Sequence, residues 1–134
     1  MASTFTCKLI TPEERVFEEE VSYVSLPLHD GLAGFQANRA PLVGELGLGE
    51  LKVTFASGKT RHWALDRGFT QMADNALTIL AEEAIEDVMI NAEEAKAELA
   101  EANARTGASG DELTRITHDR NKATLKVKMA GGSG

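Results

Sequence analysis

The sequence predicts a mainly β protein with an α-helical addition: an N-terminal β-sandwich or flattened barrel followed by a C-terminal antiparallel two-helix hairpin. Up to residue 81, short runs of alternating apolar and polar residues are separated by turn residues, which is typical of an all-β domain. From residue 92 onwards, apolar residues recur every three to four positions, as on one face of a helix. We therefore predict a β-sandwich domain over residues 1–84, a helical hairpin domain over 85–130 and a flexible tail over 131–134.

The strands of the β domain are predicted from period-two alternation. In the first strand Phe5, Cys7 and Leu9 share one face, so this strand is predicted to be half-buried. The three glutamates at 18–20 are predicted to form an exposed turn. Pro27 is predicted to end the strand before it, because proline lacks the N–H that a central strand needs. The predicted strands cover residues 5–10, 15–17, 21–26, 50–55, 61–65, 69–73 and 76–81.

A glycine-rich stretch from Leu26 to Leu51 holds five of the twelve glycines and two of the three prolines. Large apolar residues recur throughout it, which distinguishes it from a flexible linker. Glycine permits positive φ and close backbone approach, and proline fixes φ. The stretch therefore predicts short strands joined by fixed loops, which is where binding surfaces usually lie.

Capping signals mark the start of both predicted helices. Asn91 is predicted as the N-cap of the first helix, with Glu94 completing a capping-box arrangement three residues later. Gly107 ends this helix, and Ser109 with Glu112 repeats the capping spacing. The apolar face of the first helix is mostly alanine and buries little area, so the hairpin is expected to dock weakly and to be able to move.

The charges are divided between the two helices. Residues 82–101 carry eight acidic side chains against one lysine, whereas residues 114–129 carry five basic side chains against Asp119. Opposite charges favour antiparallel pairing of the helices. The same division would also let the basic helix leave for the acidic surface of a partner, and the sequence leaves both alternatives open.

The composition limits the kinds of partner. A net charge of −7 and a pI of about 5.0 give no long-range attraction for nucleic acid or an anionic membrane. No segment is long and apolar enough to span a bilayer, so we predict no direct membrane insertion. Cys7 is the only cysteine, which excludes an intrachain disulfide and fits a buried hydrophobe better than a catalytic thiol.

The sequence shows no pattern typical of catalysis or metal binding. His29, His62 and His118 lack metal-type spacing, and His62 lies too far from Asp66 along a strand to pair with it. Gly31–Gly34 neither precedes a Gly-Lys-Ser/Thr sequence nor opens a helix, so it is not a phosphate-binding loop. We therefore predict a protein without its own active site, metal or cofactor.

The order of these features resembles one family, the epsilon subunit of F-type ATP synthases. The most specific matching segment is Asn75–Glu82, which reads Asn-Ala-Leu-Thr-Ile-Leu-Ala-Glu against the family pattern Asn-x-Val-Thr-Val-Leu-Ala-Glu. Other segments that match in order are Leu9–Glu13, Val16–Glu18, Gly31–Leu42, Gly49–Leu51 and Gly68-Phe69. The matching segments extend over nearly the whole chain.

The resemblance implies a non-catalytic rotor subunit in the central stalk of a proton-translocating ATP synthase, where the sandwich contacts the gamma subunit and the c-ring. It also implies a peripheral location on the cytoplasmic face of the bacterial plasma membrane. The hairpin would fold against the sandwich or extend along gamma towards the alpha and beta catalytic subunits, restraining ATP hydrolysis. The implied residues at the c-ring or gamma interface are Gly34, Phe35, Asn38, Arg39, Ala40, Pro41 and Leu42, and those for regulation by the hairpin are Arg115, Arg120, Lys122 and Lys126.

The chain departs from the family pattern at two places. In the loop where the family has Pro-x-His-Ala-Pro-Leu, Ala37 replaces the first proline and Arg39 replaces histidine, so the loop is less constrained and more positive. On the first helix, some bacterial members bind ATP through an Ile/Leu-Asp-x-x-Arg-Ala motif. Here Asn91 replaces the acid and Glu94 replaces the arginine, and a carboxylate in place of a cation argues against ATP binding.

Two further interpretations remain open from the residues alone. One is an unrelated β-sandwich module that binds proteins and oligomerises through the helical hairpin. The other is a small hydrolase that uses His29 or His62. Binding of gamma and the c-ring would distinguish the rotor subunit from the module, and turnover that disappears in the His29→Ala variant would favour the hydrolase.

Overall fold

The computed structural model describes residues 3–132. These residues form two compact units that divide between Ile85 and Glu86. The first unit is built from strands and the second from helices. Seven strands make up the first unit: β1 (Phe5–Ile10), β2 (Arg15–Leu28), β3 (Gly31–Phe35), β4 (Leu42–Leu46), β5 (Gly49–Phe55), β6 (Thr60–Ala73) and β7 (Ala76–Glu86).

Five of the strands close into a ring. β1 pairs with β2 in antiparallel and with β7 in parallel orientation. β5 pairs with both β2 and β6, and β6 pairs with β7. β4 pairs with β2 and β6, while β3 extends the sheet beside β2. The predicted β-sandwich or flattened barrel is thereby confirmed, and closure satisfies strand edges that would otherwise be free to pair with another chain.

The long strand β6 bends where it changes partner from β5 to β4. Residues Thr60–Leu65 lie opposite β5, and Gly68–Met72 lie opposite β4. At the bend, Arg67 and Gly68 have φ values of 56° and 138°. A Cβ atom at position 68 would overlap the carbonyl oxygen of Leu80, so the bend requires glycine.

The core of the first unit consists of the inward-facing residues of the strands. Phe17 stacks on Trp63 with ring centroids 5.1 Å apart and meets Phe55 edge-on at 5.3 Å. The period-two alternation predicted the inward faces correctly, since the following predicted residues are all buried: Phe5, Cys7, Leu9, Leu51, Val53, Phe55, Trp63 and Leu65.

The predicted interruptions of β2 are wrong. Residues 18–20 lie within the strand and pair with β1, where the Glu20 carboxylate accepts hydrogen bonds from the hydroxyls of Thr4 and Thr6. Their side chains are exposed, so a strand accommodates three acids at no desolvation cost. β2 also continues through Pro27, which lies opposite Leu32 of β3 and lacks only the N–H donor, since its carbonyl accepts from Gly47.

The second unit contains a 3-10 turn at Asp87–Met89 and two helices, α1 (Ala92–Ala104) and α2 (Gly110–Gly132). The predicted cap is confirmed, because Asn91 Oδ1 accepts the Glu94 N–H at 3.0 Å. The helices pack against each other in antiparallel order. Arg105 pairs with Asp119 near the connecting turn, and Lys126 pairs with Glu98 farther along.

The C-terminal end of α2 differs from the predicted boundary. The helix continues through Gly132, so it includes the first two residues of the predicted tail. Residues 133 and 134 lie outside the described part of the chain. Among residues 3–132, no helix is both long and apolar enough to cross a membrane.

Candidate functional site

The predicted interface residues surround the loop 36–41, which connects β3 to β4. Phe35, the last residue of β3, is fully buried, and Leu42, the first residue of β4, packs against the core. Between these anchors the residues Asn38, Arg39, Ala40 and Pro41 are exposed. The predicted interface residues thus lie together in the structure. Phe35 and Leu42 anchor the segment in the core, and the loop between them is exposed.

Arg39 is held in a defined position although it is exposed. Its Nη1 donates a hydrogen bond to the carbonyl oxygen of Gly34 at 2.9 Å. Its guanidinium carbon lies 4.7 Å from the ring centroid of Phe35, which is a cation–π distance. The loop therefore presents a fixed positive charge.

The loop is fastened by a residue that the sequence did not single out for this role. Asn38, with φ of 64°, donates its N–H to Asn75 Oδ1 at 2.8 Å. The amide nitrogen of Asn75 donates in turn to the Thr4 carbonyl at 3.1 Å. In the sequence, Asn75 was noted only as the first residue of the matching segment Asn75–Glu82. The signal in the sequence is the residue type, because asparagine tolerates positive φ, which is 60° here, and its short amide side chain readily hydrogen-bonds to nearby backbone groups.

A depression of about 340 Å³ lies beside the loop. The residues that line it are Tyr23, Gly34, Gln36, Ala37 and Arg39. The Tyr23 hydroxyl lies directly over Gly34, where a Cβ atom would overlap it. The absence of a side chain at Gly34 therefore allows Tyr23 to occupy this position.

A second exposed surface was not predicted from the sequence. Val43, Phe69 and Leu80 are 73%, 60% and 49% exposed, and we call these three residues the apolar band. Phe69 lies opposite Glu45 of β4, next to Val43 on the same face, and lines a depression of about 320 Å³ together with Leu80 and Pro12. The signal in the sequence was the apolar residue Leu80 at an outward position of an alternating strand.

The four basic residues of α2 have different surroundings. Arg115 is exposed, and Arg120 and Lys122 are half-buried. The Nε atom of Arg120 is buried without a hydrogen-bond partner among the described residues. Lys126 Nζ lies 3.3 Å from a carboxylate oxygen of Glu98 on α1, so this lysine serves the pairing of the helices. Their predicted regulatory role stays a prediction.

Arg105 provides a further link between the helices. It donates to Asp119 on α2 and to Glu101 on α1, both at 2.9 Å. These hydrogen bonds, first that of Asp119, raise the pKa of the Arg105 guanidinium above its usual value. The Lys126–Glu98 pair follows the division of charge in the sequence, whereas the Arg105–Asp119 pair has the opposite polarity.

The residues considered for catalysis are dispersed. His62 Nδ1 lies 2.6 Å from Glu50 Oε2 across β5 and β6, a pair that spacing along a single strand could not predict. Burial raises the pKa of the Cys7 thiol to about 12, which keeps it protonated at neutral pH. Within residues 3–132, no group of three or more His, Cys, Asp or Glu side chains is arranged to hold a metal ion.

Residues 4–87 match the family described as the ATP synthase delta/epsilon chain, β-sandwich domain. The ATP synthase epsilon chain of Desulfitobacterium hafniense is 32% identical over 131 residues, which are 97% of this chain and 98% of the relative. The chain belongs to the ATP synthase epsilon chain family. The resemblance stated from the sequence is thereby confirmed.

Another member of the epsilon chain family supports the assignment over a shorter range. The ATP synthase epsilon chain of Rhodopirellula baltica is 38% identical over 96 residues, covering 72% of this chain and 74% of the relative. Since the match to the Desulfitobacterium relative also includes the hairpin, the assignment of this epsilon-family chain does not rest on the sandwich alone.

Solved structures share the fold. A chain in the structure of the Euglena gracilis mitochondrial ATP synthase, OSCP/F1/c-ring, superposes with a TM-score of 0.74 at 21% identity, over 96% of this chain and 78% of that one. A chain from the Tetrahymena thermophila mitochondrial ATP synthase, central stalk/c-ring, gives 0.66 at 17% identity, over 93% and 95%. At these sequence identities, the structural similarity shows that the chains share a fold and no more.

Proposed function

We propose that this chain is a non-catalytic central-stalk (rotor) subunit of a proton-translocating F-type ATP synthase, in which it links the gamma subunit to the c-ring. It acts by binding, without an active site of its own. The protein lies on the cytoplasmic face of the bacterial plasma membrane and is peripheral to it through the complex. Membership of the epsilon chain family over nearly the whole chain is the observation that carries the proposal.

The sandwich has two unlike surfaces, as a linking subunit needs. The loop 36–41 is polar and carries the fixed charge of Arg39, and we assign it to the c-ring. The apolar band exposes Val43, Phe69 and Leu80, and exposed apolar clusters on soluble proteins mark protein contacts. We assign the band to gamma, because a lasting contact within the rotor favours apolar burial.

The hairpin has a regulatory role in this proposal. Its buried apolar residues are mostly small, and exposed ion pairs link its helices. Such an element rearranges at low free-energy cost. The basic residues Arg115, Arg120, Lys122 and Lys126 would then become available to acidic surfaces of the alpha and beta subunits and restrain ATP hydrolysis.

Co-purification of gamma and the c-ring with the tagged full chain tests the linking role. The Val43→Asp variant should reduce binding of gamma by roughly tenfold or more, since burying a charge at an apolar contact is costly. Val88→Asp is a matched control, because Val88 is 75% exposed and lies outside the band. Equal binding by both variants would refute the assignment of the band, and a chain that captures neither gamma nor the c-ring would refute the linking role.

A further inference from the structure

We propose that the depression beside Arg39 binds a carboxylate side chain of the c-ring. This inference rests on the proposed function, in which the loop 36–41 contacts the c-ring. The residues that line the depression include Arg39, Tyr23 and Gln36, whose side chains end in a guanidinium, a phenol and an amide. All three carry hydrogen-bond donors. Its volume of about 340 Å³ has room for one side chain of a partner.

The donors of this depression retain hydrogen-bonding capacity. Arg39 uses Nη1 on the Gly34 carbonyl, which leaves its Nε and Nη2 groups for a partner. Within residues 3–132, neither the Tyr23 hydroxyl nor the Gln36 side chain takes part in a hydrogen bond. A partner that supplies only acceptors therefore fits the depression better than one that supplies donors.

The charge of the depression favours a carboxylate among the acceptors. Arg39 has no ion pair within the described part of the chain, although the protein as a whole has a net charge of −7. The planar guanidinium binds carboxylates through two parallel hydrogen bonds. A cationic side chain of a partner would be repelled by Arg39 and would find no negatively charged side chain among the residues that line the depression.

The Arg39 guanidinium and the Tyr23 hydroxyl are held in position before a partner binds. The Phe35 ring and the Gly34 carbonyl fix the guanidinium, and Phe35 is itself fully buried. The Tyr23 hydroxyl lies over Gly34, whose lack of a side chain leaves this position open. Fixing donors in advance reduces the entropy lost when a partner binds.

Zero-length cross-linking tests whether a carboxylate occupies the depression. The Arg39→Lys variant of the full chain, assembled with gamma and the c-ring, would be treated with a carbodiimide, which joins an amine to an adjacent carboxylate as an amide. We expect peptide mass spectrometry to find the amine introduced at position 39 joined to an acidic residue of the c subunit. The control is Lys59 in the exposed turn 56–59, which should remain unlinked to the c subunit. An intact assembly in which position 39 forms no link to an acid of the c-ring would overturn the inference.

Affinity measurements provide a second test that does not depend on cross-linking. Arg39→Gln should weaken binding to the c-ring by roughly tenfold or more and should flatten its salt dependence, because a charge-assisted hydrogen bond is lost. Lys59→Gln removes the same charge elsewhere and should bind as the unmodified chain does. If Arg39→Gln binds normally, the inference is wrong while the linking role stands. If the unmodified chain itself fails to bind the c-ring, the proposed function falls as well.

Discussion

Large side chains fill the core of the β-sandwich, whereas the buried apolar residues of the helical hairpin are mostly small. Trp63, Phe17 and Phe55 contact one another in the sandwich, and the ring of five strands leaves few free edges. The buried apolar residues of the hairpin unit are Ala95, Ala102, Ile116, Ala123 and Met129. Ion pairs between Arg105 and Asp119 and between Lys126 and Glu98 also link the helices.

This difference indicates which part of the chain can transmit force and which can change shape. Apolar burial stabilises by about 25 cal/mol per Å² and depends little on salt, while exposed ion pairs contribute at most about 1 kcal/mol each and weaken with salt. The sandwich is therefore suited to a permanent contact within a rotor. The hairpin is suited to rearrangement.

The largest expected effect comes from the bend in β6. Gly68→Ala places a Cβ atom against the carbonyl oxygen of Leu80, so we expect a loss of about 5 kcal/mol of unfolding free energy, or failure to fold. Gly58→Ala is the control, since Gly58 also has positive φ, 94°, but has open space around it. It should cost about 1–2 kcal/mol. Urea unfolding measures both, and equal losses would show that the close approach to Leu80 is unimportant.

The next effect separates the two kinds of core. Trp63→Ala removes a fully buried ring and should cost about 3–5 kcal/mol, because the surrounding aromatic residues cannot fill the cavity. Ala102→Gly in α1 removes the methyl group of a residue that is 2% exposed and should cost about 1–2 kcal/mol, because only a small group leaves the core and glycine weakens a helix. Similar costs for the two variants, measured by chemical denaturation, would contradict the contrast between the units.

A smaller effect is expected at the turn that fastens the loop. Asn75→Ala removes the side-chain bonds to Asn38 and Thr4 and should cost about 2 kcal/mol. Asp74→Ala is the control, because Asp74 has a similar positive φ, 52° compared with 60° at Asn75. This variant should cost about 1 kcal/mol through backbone strain alone. Hydrogen exchange at the Asn38 amide should rise only in the Asn75 variant, and unchanged exchange would show that the side chain does not hold the loop.

The smallest expected effect concerns the pairing of the helices. Lys126→Ala removes the contact with Glu98 and should lower the stability of the hairpin by about 0.5 kcal/mol. Added salt screens this ion pair, so it should lower the stability of the hairpin in the unmodified protein and change it little in the variant, which lacks the pair. Circular dichroism at increasing ionic strength measures the effect, and an identical salt response in both proteins would exclude this ion pair as a contributor.

The sequence could predict the faces of the strands but not every boundary. Alternation at Phe5, Cys7 and Leu9 defined β1 because burial itself has period two in a strand. The same reasoning failed at residues 18–20, since an exposed strand surface accepts acids as readily as a turn does. Pro27 is tolerated because a single missing donor leaves the rest of the ladder intact, which depends on neighbours that only the fold supplies.

The candidate site was predictable in outline for a similar reason. The glycine and proline pattern placed the loop that carries Arg39, because these residues act through local backbone geometry. The contact between Asn38 and Asn75 spans 37 residues, and the pair of His62 and Glu50 depends on the register of β5 against β6. Such contacts are fixed by tertiary structure, so spacing along the chain carries no information about them.

The division between a linking sandwich and a regulatory hairpin is tested most directly by ATP synthesis in membranes whose ATP synthase contains a chain lacking residues 88–134. The proposed linking surfaces lie in the sandwich, which has its own core, so we expect that the stalk assembles and that proton-coupled synthesis stays close to the level of the full-length chain. Adding Val43→Asp to the shortened chain should then weaken its assembly with gamma by roughly tenfold or more, as in the full-length chain. Loss of the stalk on removal of 88–134 alone would contradict this division between a linking sandwich and a regulatory hairpin.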